Sequence, residues 1–318
     1  MARPRNCVVG PSFRTIAAPR MTLKRNTTRS FWLSWLLLPL LFVAGDRIAG
    51  YFLRNTIEGA RFRYARLYGS EGAPELLLLG NSRGLTFFQP YISEKTGQKN
   101  LNLSYNGLPM DVGNALAQDA LDRYPDTKIL LIDITMCDRE NDELLSGFLS
   151  YSRNSPRLQA LLKRKLPKAY WGAEFSDLYR YNNEIAQRAM FHRRESDEAW
   201  LLDRQIAPAL ADKLAEQAGY PLELHPYLIN QLAETVAYAR SKGVKVVLLI
   251  SPYFPGFAEK VANLDALKAA VEQATGLPVH DYRNALASRE AFGDFQHPNI
   301  RGSKQYVDLL IKDGLFSP

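Results

Sequence analysis

The chain has 318 residues, of which 46% are hydrophobic and 23% are charged, a balance typical of a globular protein with a buried core. Its net charge of +7 comes from the first thirty residues, which contain seven Arg and Lys and no Asp or Glu. Taking these seven from the 40 basic residues leaves 33, equal to the 33 acidic residues, so the body of the chain is neutral. This balance excludes a basic surface for binding nucleic acid.

An uncharged run of sixteen residues, Ser30–Gly45, follows the basic tail. As a helix it would be about 24 Å long, shorter than the roughly 30 Å hydrocarbon core of a bilayer. A longer helix that continued to Leu53 would span this core if the charges of Asp46 and Arg47 extended to the interface.

We therefore predict a basic cytoplasmic tail over residues 1–30 and a signal anchor over residues 31–53, a single transmembrane segment of the cell inner membrane. The alternative is a signal peptide cleaved near the small residues Val43-Ala44-Gly45. Either prediction places the rest of the chain outside the cytoplasm, in the periplasm.

A connector is predicted over residues 54–74, where arginines are interleaved with aromatic residues. This pattern indicates a helix with a solvated basic face or a helix lying along lipid headgroups.

Residues 75–318 alternate short apolar runs with helical patterns, which predicts an α/β domain with a parallel sheet covered on both faces. We expect a flavodoxin-like three-layer sandwich with a five-stranded parallel sheet, its first strand central and its fifth at an edge. Strands are predicted at Glu75–Gly80, Lys99–Ser104, Lys128–Thr135, Val244–Ser251 and Leu277–Tyr282. Helices are predicted at Asp111–Tyr124, Pro226–Lys242, Ala258–Thr275 and Gly302–Lys312.

The segment between the third and fourth strands is too long for a loop, and residues 143–224 are predicted to form a mostly helical insertion. Its second half, Ser196–Ala218, also has a helical pattern. The insertion is expected to be either a helical cap on the sheet or a lid or groove that binds substrate. In the second case four aromatic residues could stack on sugar faces: Tyr170, Trp171, Tyr179 and Tyr181.

Two short patterns carry the candidate catalytic residues. In LLLLGNSRG, Leu76–Gly84, a buried strand ends at a turn containing Ser82, at the sheet edge where open α/β folds bind ligands. In GDFQHPNIRG, Asp294 and His297 are three residues apart, so one turn could bring the carboxylate to one imidazole nitrogen and leave the other free. A histidine held in this way is the base that a serine hydroxyl needs near pH 7.

Other polar residues are given structural interpretations. Arg83 is expected to be either a surface arginine or a group that steers an anionic substrate. Cys7 and Cys137 are expected to stay unpaired, and no metal or cofactor is expected because the spacing of the cysteines and histidines is not that of metal ligands. The histidines interpreted as structural are His192, His225 and His280.

The two catalytic patterns resemble sequence blocks of the SGNH (GDSL-type) hydrolase superfamily, over about Glu75–Leu310 without the insertion. NSRG is similar to the first block, with Asn81 where the commonest members have Asp, and DFQHPNIRG is similar to the terminal Asp-x-x-His block. The resemblance implies that Ser82 is the nucleophile, that His297 is the general base and that Asp294 orients its imidazole.

The resemblance also implies an oxyanion site. The segment LNLSYNGLP lies where the family supplies a glycine whose backbone N–H binds the oxyanion, here Gly107, together with the N–H of Ser82. The family's third block, Gly-x-Asn-Asp, is absent after the third strand, where DITMCDREND stands instead. Asn141 is the candidate for the side-chain donor.

Membrane-anchored members of this superfamily include the O-acetyltransferase components of exopolysaccharide export systems. The resemblance implies an outward-facing enzyme that carries an acetyl group on its serine and passes it to a polysaccharide hydroxyl, as an O-acetyltransferase, or to water, as an acetylesterase. A polytopic membrane acyltransferase would be its partner. The alternative, favoured by the missing third block, is an inactive subunit that binds or assembles polysaccharide.

Overall fold

The computed structural model describes residues 27–69 and 72–317, so most of the predicted cytoplasmic tail, residues 1–26, lies outside it. Within these described ranges no helix is both long enough and apolar enough to cross a membrane.

The chain divides into two compact units, residues 1–44 and residues 45–318. The described part of the first unit belongs to helix α1 (Thr27–Glu58), which ends in the second unit. The second unit contains the sheet and all the candidate site residues.

Five parallel strands form one sheet in the order β2-β1-β3-β4-β5, which confirms the predicted five-stranded parallel sheet. All residues of β1 and β3 are buried, and this is why both strands are continuous apolar runs rather than alternating patterns. The strands are β1 (Leu76–Leu79), β2 (Asn100–Asn102), β3 (Ile129–Asp133), β4 (Lys245–Ile250) and β5 (Val279–Asp281).

The position of β1 in the sheet differs from the prediction. β3 occupies the centre, and β1 lies between β3 and the edge strand β2, with Leu77 aligned to Leu101 and Leu130. β5 lies at the opposite edge, as predicted. The loop after β5 must therefore pass the ends of β4 and β3 to reach the end of β1.

Helices cover both faces of the sheet. The connection from β1 to β2 runs in the opposite direction to the later ones, so right-handed crossovers place its helix on the opposite face. The helices after α1 in the described ranges are α2 (Arg63–Gly69), α3 (Gln89–Thr96), α4 (Met110–Arg123), α5 (Asp142–Gly147), α6 (Pro156–Lys165), α7 (Pro167–Phe175), α8 (Asp177–Tyr181), α9 (Glu184–Phe191), α10 (Pro208–Ala211), α11 (Pro226–Ser241), α12 (Leu264–Thr275) and α13 (Ile300–Lys312). Helices α4, α11 and α12 pack side by side, and α3 packs against α13.

The four predicted helices correspond to α4, α11, α12 and α13, and only α12 begins much later than predicted. Ala258–Lys260 forms a separate 3-10 turn, and Asn263 has a φ of +66°, outside the right-handed helical region. Helix α12 therefore starts at Leu264 instead of Ala258.

Asp46 does not extend to an interface, as the sequence suggested, but is buried in the second unit. Its carboxylate accepts hydrogen bonds from the hydroxyl of Ser176 at 2.6 Å and from the backbone N–H groups of Asp177 and Leu178 at 2.9 and 3.0 Å. It thereby satisfies free N–H groups at the start of α8. Gly50 permits this approach, because a Cβ there would lie 2.3 Å from the Cβ of Asp177.

Residues 62–68 of the predicted connector belong largely to the core, whereas Arg54 and Arg61 are exposed. Phe62, Tyr64 and Leu67 are at most 2% exposed, and Arg63 between them is 2% exposed. The Arg63 guanidinium is paired with Asp197 at 2.6 Å. The segment is amphipathic, as its sequence indicates, and its apolar side chains, Phe62, Tyr64 and Leu67, pack into the domain.

The insertion is helical in its first part, from α5 to α9, and mostly irregular afterwards. The predicted helix over Ser196–Ala218 is wrong, apart from α10 and the 3-10 turn Asp212–Glu216. The aromatic residues expected to stack on sugars do not line the cavities beside Ser82. Tyr170 and Tyr181 are buried in the core, whereas Trp171 and Tyr179 are exposed.

Candidate active site

Ser82 follows β1 after Gly80 and Asn81, at the start of a 3-10 turn, Ser82–Thr86. The side chain of Asn81 caps this turn by accepting a hydrogen bond from the N–H of Arg83 at 2.9 Å. Gly80 allows the chain to turn sharply, because a Cβ there would lie 2.8 Å from the Cα of Gly84. The leucine run thus ends at a serine because the turn presents that hydroxyl at the carboxyl edge of the sheet.

His297 connects Ser82 to Asp294. Its Nε2 lies 2.8 Å from the Ser82 Oγ, and its Nδ1 lies 2.8 and 3.0 Å from the two carboxylate oxygens of Asp294. An ionised carboxylate can only accept, so Nδ1 carries the hydrogen and Nε2 is left to accept the serine O–H. The structure therefore brings together the three residues that the sequence singled out.

Asp294 is held as an acceptor by its own loop. Its Oδ1 also accepts hydrogen bonds from the backbone N–H groups of Gln296 and His297, at 2.8 and 2.9 Å. Burial acts to raise the pKa of Asp294, but these hydrogen bonds and the partnership with His297 outweigh it, and the pKa lies below its ordinary value. The carboxylate is consequently ionised at neutral pH.

Arg83 is not a surface arginine, so that expectation was wrong, whereas a role in steering an anionic substrate stays a prediction. Its side chain is 3% exposed and stacks over the ring of Tyr253, 3.4 Å from the centroid. Its guanidinium donates to the carbonyl of Gln296 at 2.8 Å and to the carbonyls of Ser251 and Pro252. Arg83 thus joins the serine turn, the end of β4 and the loop that carries His297.

Gly107 and Asn141 lie together beside Ser82. Gly107 has a φ of +68°, and its carbonyl accepts a hydrogen bond from the Asn141 Nδ2 at 3.0 Å. The Asn141 Oδ1 accepts from the N–H of Leu144 at 3.0 Å and so caps α5. Within the described residues, the backbone N–H groups of Ser82 and Gly107 donate to no backbone carbonyl.

Among the described residues, the backbone N–H groups of Ser82 and Gly107 thus have no backbone acceptor. The Asn141 side chain, in contrast, already makes two hydrogen bonds. Both N–H groups belong to residues that line the same cavities, which fits the oxyanion site expected of them. Asn141 orients the peptide that follows Gly107, and one of its two amide hydrogens is used in doing so.

Two cavities meet at Ser82 and Gly107, which line both of them. The apolar lobe, of about 410 Å³, is lined chiefly by Leu85, Trp200, Leu201, Leu202 and Pro298. The polar lobe, of about 260 Å³, is lined chiefly by Asn81, Arg83, Thr135, Asp138, Arg139, Asn141, Tyr220 and Gln296. A substrate bound at the serine would therefore meet two chemically different surfaces.

The insertion contributes to both lobes through residues that the sequence did not single out. Trp200, Leu201 and Leu202 belong to an irregular segment, residues 200–206, that we call the strap. The strap is bound to the loop that carries His297: the N–H of Ile206 donates to Phe292, and the carbonyl of Leu202 accepts from Ile300. Because these contacts are made by the backbone, they produce no periodic side-chain pattern from which the strap could have been predicted.

Comparison with known proteins gives little similarity. No family model matches the chain, and no curated protein matches it. Among solved structures, it is similar to a GDSL-like lipase from Bacteroides thetaiotaomicron, with 10% identity over 80% of this chain and 95% of that one and a TM-score of 0.38. It is also similar to "a putative platelet activating factor" from Streptococcus pneumonia, with 12% identity over 89% of this chain and 99% of that one and a TM-score of 0.40. At this level of similarity, any activity has to be argued from the geometry of the site.

Proposed function

We propose that the protein is a serine acyl-ester enzyme in which Ser82, His297 and Asp294 act together. The observation that carries the proposal is the 2.8 Å contact between the Ser82 Oγ and the His297 Nε2, with Asp294 bound to the other imidazole nitrogen. A serine hydroxyl paired with an oriented imidazole is the arrangement used for acyl transfer.

The first half of the reaction forms an acyl-serine. His297 takes the Ser82 proton as Oγ attacks the ester carbonyl carbon, and the N–H groups of Ser82 and Gly107 stabilise the resulting oxyanion. His297 then gives that proton to the departing alcohol oxygen, and the carbonyl re-forms on Ser82. Asp294 keeps the imidazole in the required tautomer and stabilises its positive charge.

The second half returns the serine. The acceptor oxygen, from water or from a sugar hydroxyl, gives its proton to His297 and attacks the acyl carbon, and His297 returns the proton to the Ser82 Oγ. With water the protein is an esterase, and with a sugar it is an O-acyltransferase. We propose an acetyl group as the acyl group and a cell-surface or secreted polysaccharide as the carbohydrate, in line with the sequence resemblance.

We further propose that the protein is anchored in the cell inner membrane, with its site in the periplasm and a polytopic membrane acyltransferase as partner. The support is the basic tail before the uncharged run Ser30–Gly45. Ile48, Tyr51 and Phe52, which follow this run, are each more than 60% exposed, as apolar side chains meeting lipid or a partner would be.

A fluorophosphonate probe tests the catalytic proposal, because it reacts with serines activated in this way. We expect covalent labelling of the full-length protein, loss of labelling in Ser82→Ala and unchanged labelling in Ser241→Ala, whose serine is exposed at the end of α11. Absence of labelling in folded wild-type protein would refute the enzyme and favour a polysaccharide-binding subunit.

A further inference from the structure

The two lobes beside Ser82 differ in their access to the base. Both are lined by Ser82 and Gly107, so both are open to the atoms that react. His297 and Asp294 line the apolar lobe, whereas the polar lobe is lined by the neighbouring Gln296. The proton acceptor of the site therefore faces the apolar lobe.

This asymmetry separates the two halves of an ester. The carbonyl carbon carries an acyl chain on one side and the alcohol oxygen on the other. Of these two halves of the ester, only the alcohol exchanges a proton with the His297 Nε2, when its oxygen departs or when it arrives as the acceptor. The alcohol half must therefore lie in the lobe that His297 lines.

We propose that the apolar lobe is the alcohol subsite and that Trp200 is its specificity-determining residue, selecting alcohols that carry a ring with a flat apolar face. This inference rests on the proposed acyl-ester function. The apolar lobe, at about 410 Å³, is large enough for a ring-bearing alcohol. Its walls of Trp200, Leu201 and Leu202 suit the C–H face of a sugar ring better than an extended polar chain.

Trp200 is held in place rather than free on the surface, although it is 37% exposed. Its backbone N–H donates to the backbone carbonyl of Asp197 at 3.0 Å, and the Asp197 carboxylate is fully buried between Arg63 and Arg66. The guanidinium groups of Arg63 and Arg188 lie 5.9 and 5.6 Å from the centre of the indole ring. A ring fixed in this way offers a prepared stacking surface, which costs little ordering when substrate binds.

The polar lobe is then the acyl subsite, and its smaller volume of about 260 Å³ fits a short acyl group. The charged groups there already have partners: Arg139 binds Asp138 at 2.9 Å, and the Tyr220 hydroxyl donates to the same carboxylate at 2.6 Å. Arg83 donates to the backbone carbonyls of Gln296, Ser251 and Pro252. A small uncharged group such as acetyl leaves these contacts intact.

Two ester series test the assignment on the full-length protein, with acid release followed by titration. The first keeps the acetyl group and varies the alcohol: ethyl acetate, cyclohexylmethyl acetate and methyl 6-O-acetylglucoside. The second keeps ethanol and varies the acyl group between acetyl and butanoyl. We expect wild-type kcat/KM to be at least tenfold higher for the ring-bearing acetates than for ethyl acetate, because each buried methylene contributes about a fourfold gain.

In Trp200→Ala the ratio of kcat/KM for ring-bearing acetates to kcat/KM for ethyl acetate should fall about tenfold, while the acetyl-to-butanoyl ratio stays within threefold. Trp200→Phe should restore part of the preference. Trp171→Ala is the matched control, since Trp171 is an exposed tryptophan of the same insertion that lines neither lobe. Leu201→Ala provides a second variant, expected to weaken the same preference if Trp200→Ala does not fold.

The outcomes separate this inference from the proposed function. If Trp200→Ala changed the acetyl-to-butanoyl ratio and left the ring preference unchanged, the apolar lobe would bind the acyl group, and the assignment of the alcohol subsite would be overturned. Labelling of Ser82 by the fluorophosphonate without any ring preference would overturn the subsite alone. Absence of labelling in folded protein would refute the acyl-ester function, and the subsite with it.

Discussion

Arg83 and Gln296 are 213 residues apart in the chain and are joined by a hydrogen bond of 2.8 Å from the Arg83 Nη1 to the Gln296 carbonyl. Each residue is the direct neighbour of a candidate catalytic residue, Ser82 in one case and His297 in the other. The same guanidinium also binds the carbonyls of Ser251 and Pro252 at the end of β4. One buried side chain therefore connects the turn that carries Ser82 to the loop that carries His297.

Replacing Arg83 with lysine should lower kcat about 10- to 100-fold and leave KM nearly unchanged, because a shift of about 1 Å between reacting groups is enough for such a loss. The lysine ammonium cannot reach three carbonyls with the fixed fork of a guanidinium. Steady-state kinetics on an acetyl ester measures both constants. Arg301→Lys is the control, since Arg301 is exposed and pairs with the exposed Glu290. A wild-type kcat in Arg83→Lys would show that the hydrogen bonds from Arg83 to the three carbonyls are not needed for activity.

Ser82, His297 and Asp294 should lose activity as a unit. We expect Ser82→Ala, His297→Ala and the double variant to have nearly the same residual activity on a chromogenic acetyl ester, with Asp294→Ala losing less. Circular dichroism should show that all four variants keep their fold, because loop residues at the sheet edge add little to the core. Additive losses, or near wild-type activity of Ser82→Ala, would refute the proposed mechanism.

Asn141→Ser should lower kcat about tenfold without destabilising the protein. The serine retains the acceptor that caps α5, but it is too short to hold the Gly107 carbonyl. The backbone at Gly107 is then less fixed, and the Gly107 N–H is no longer held toward the proposed oxyanion. Asn183→Ser is a matched control, because Asn183 caps α9 in the same way and does not line either lobe. Equal kcat values for the two variants would indicate that the hydrogen bond from Asn141 to the Gly107 carbonyl is not needed for activity.

Asp197 should make the free energy of unfolding depend on pH. Burial acts to raise the pKa of Asp197, but the charges of Arg63 and Arg66 outweigh it and hold that pKa below the ordinary 3.8. A group whose pKa is lower in the folded state stabilises that state above its unfolded pKa, and this contribution is lost as the pH falls through the folded pKa.

Urea unfolding of Asp197→Asn measures this contribution. At pH 7 the variant should be less stable by about 3 kcal/mol, because Arg63 is left buried without its counter-charge. Between about pH 5 and pH 3 its free energy of unfolding should fall less steeply than that of the wild type. Asp203→Asn, at an exposed position in the strap, should match the wild type at every pH. Parallel pH profiles for the wild type and Asp197→Asn would contradict the assignment.

The predicted topology can be tested with a reporter fused after Leu53. We expect reporter activity outside the cytoplasm and full-length protein in the membrane fraction, because the basic tail precedes an uncharged run. Reporter activity in the cytoplasm would refute the topology. A soluble mature form that begins near Asp46 would select the cleaved signal peptide.

The sheet could be predicted from local sequence, and the three candidate catalytic residues, which the structure brings together, could be picked out from two short sequence patterns. The runs at β1 and β3 are apolar throughout, as strands buried on both faces must be, and Ser82 follows the first of them after Gly80 and Asn81. The spacing of Asp294 and His297 already allows the contact that the structure contains, because one turn closes it.

The role of Arg83, the packing of residues 54–74 and the position of the strap could not be predicted, because they depend on contacts between distant segments. Such contacts produce no periodic pattern in the sequence. Nothing local distinguishes Arg83 from a surface arginine, since its three carbonyl acceptors come from two other segments. Residues 54–74 are amphipathic, but an amphipathic pattern does not say what covers its apolar face. The strap is set by backbone hydrogen bonds to Phe292 and Ile300, which any sequence of suitable length can donate or accept.

The attachment of the strap also imposes an order on folding. The loop that carries His297 gains two of its backbone partners only when the strap, contributed by a segment that precedes β4, has docked on it. Contacts between such distant segments form late, since closing long loops costs entropy before the contacts repay it. The pairing of Ser82 with His297 should therefore be among the last events of folding, and the rate at which refolding protein becomes reactive toward a fluorophosphonate should report the completion of the native state rather than the formation of the sheet.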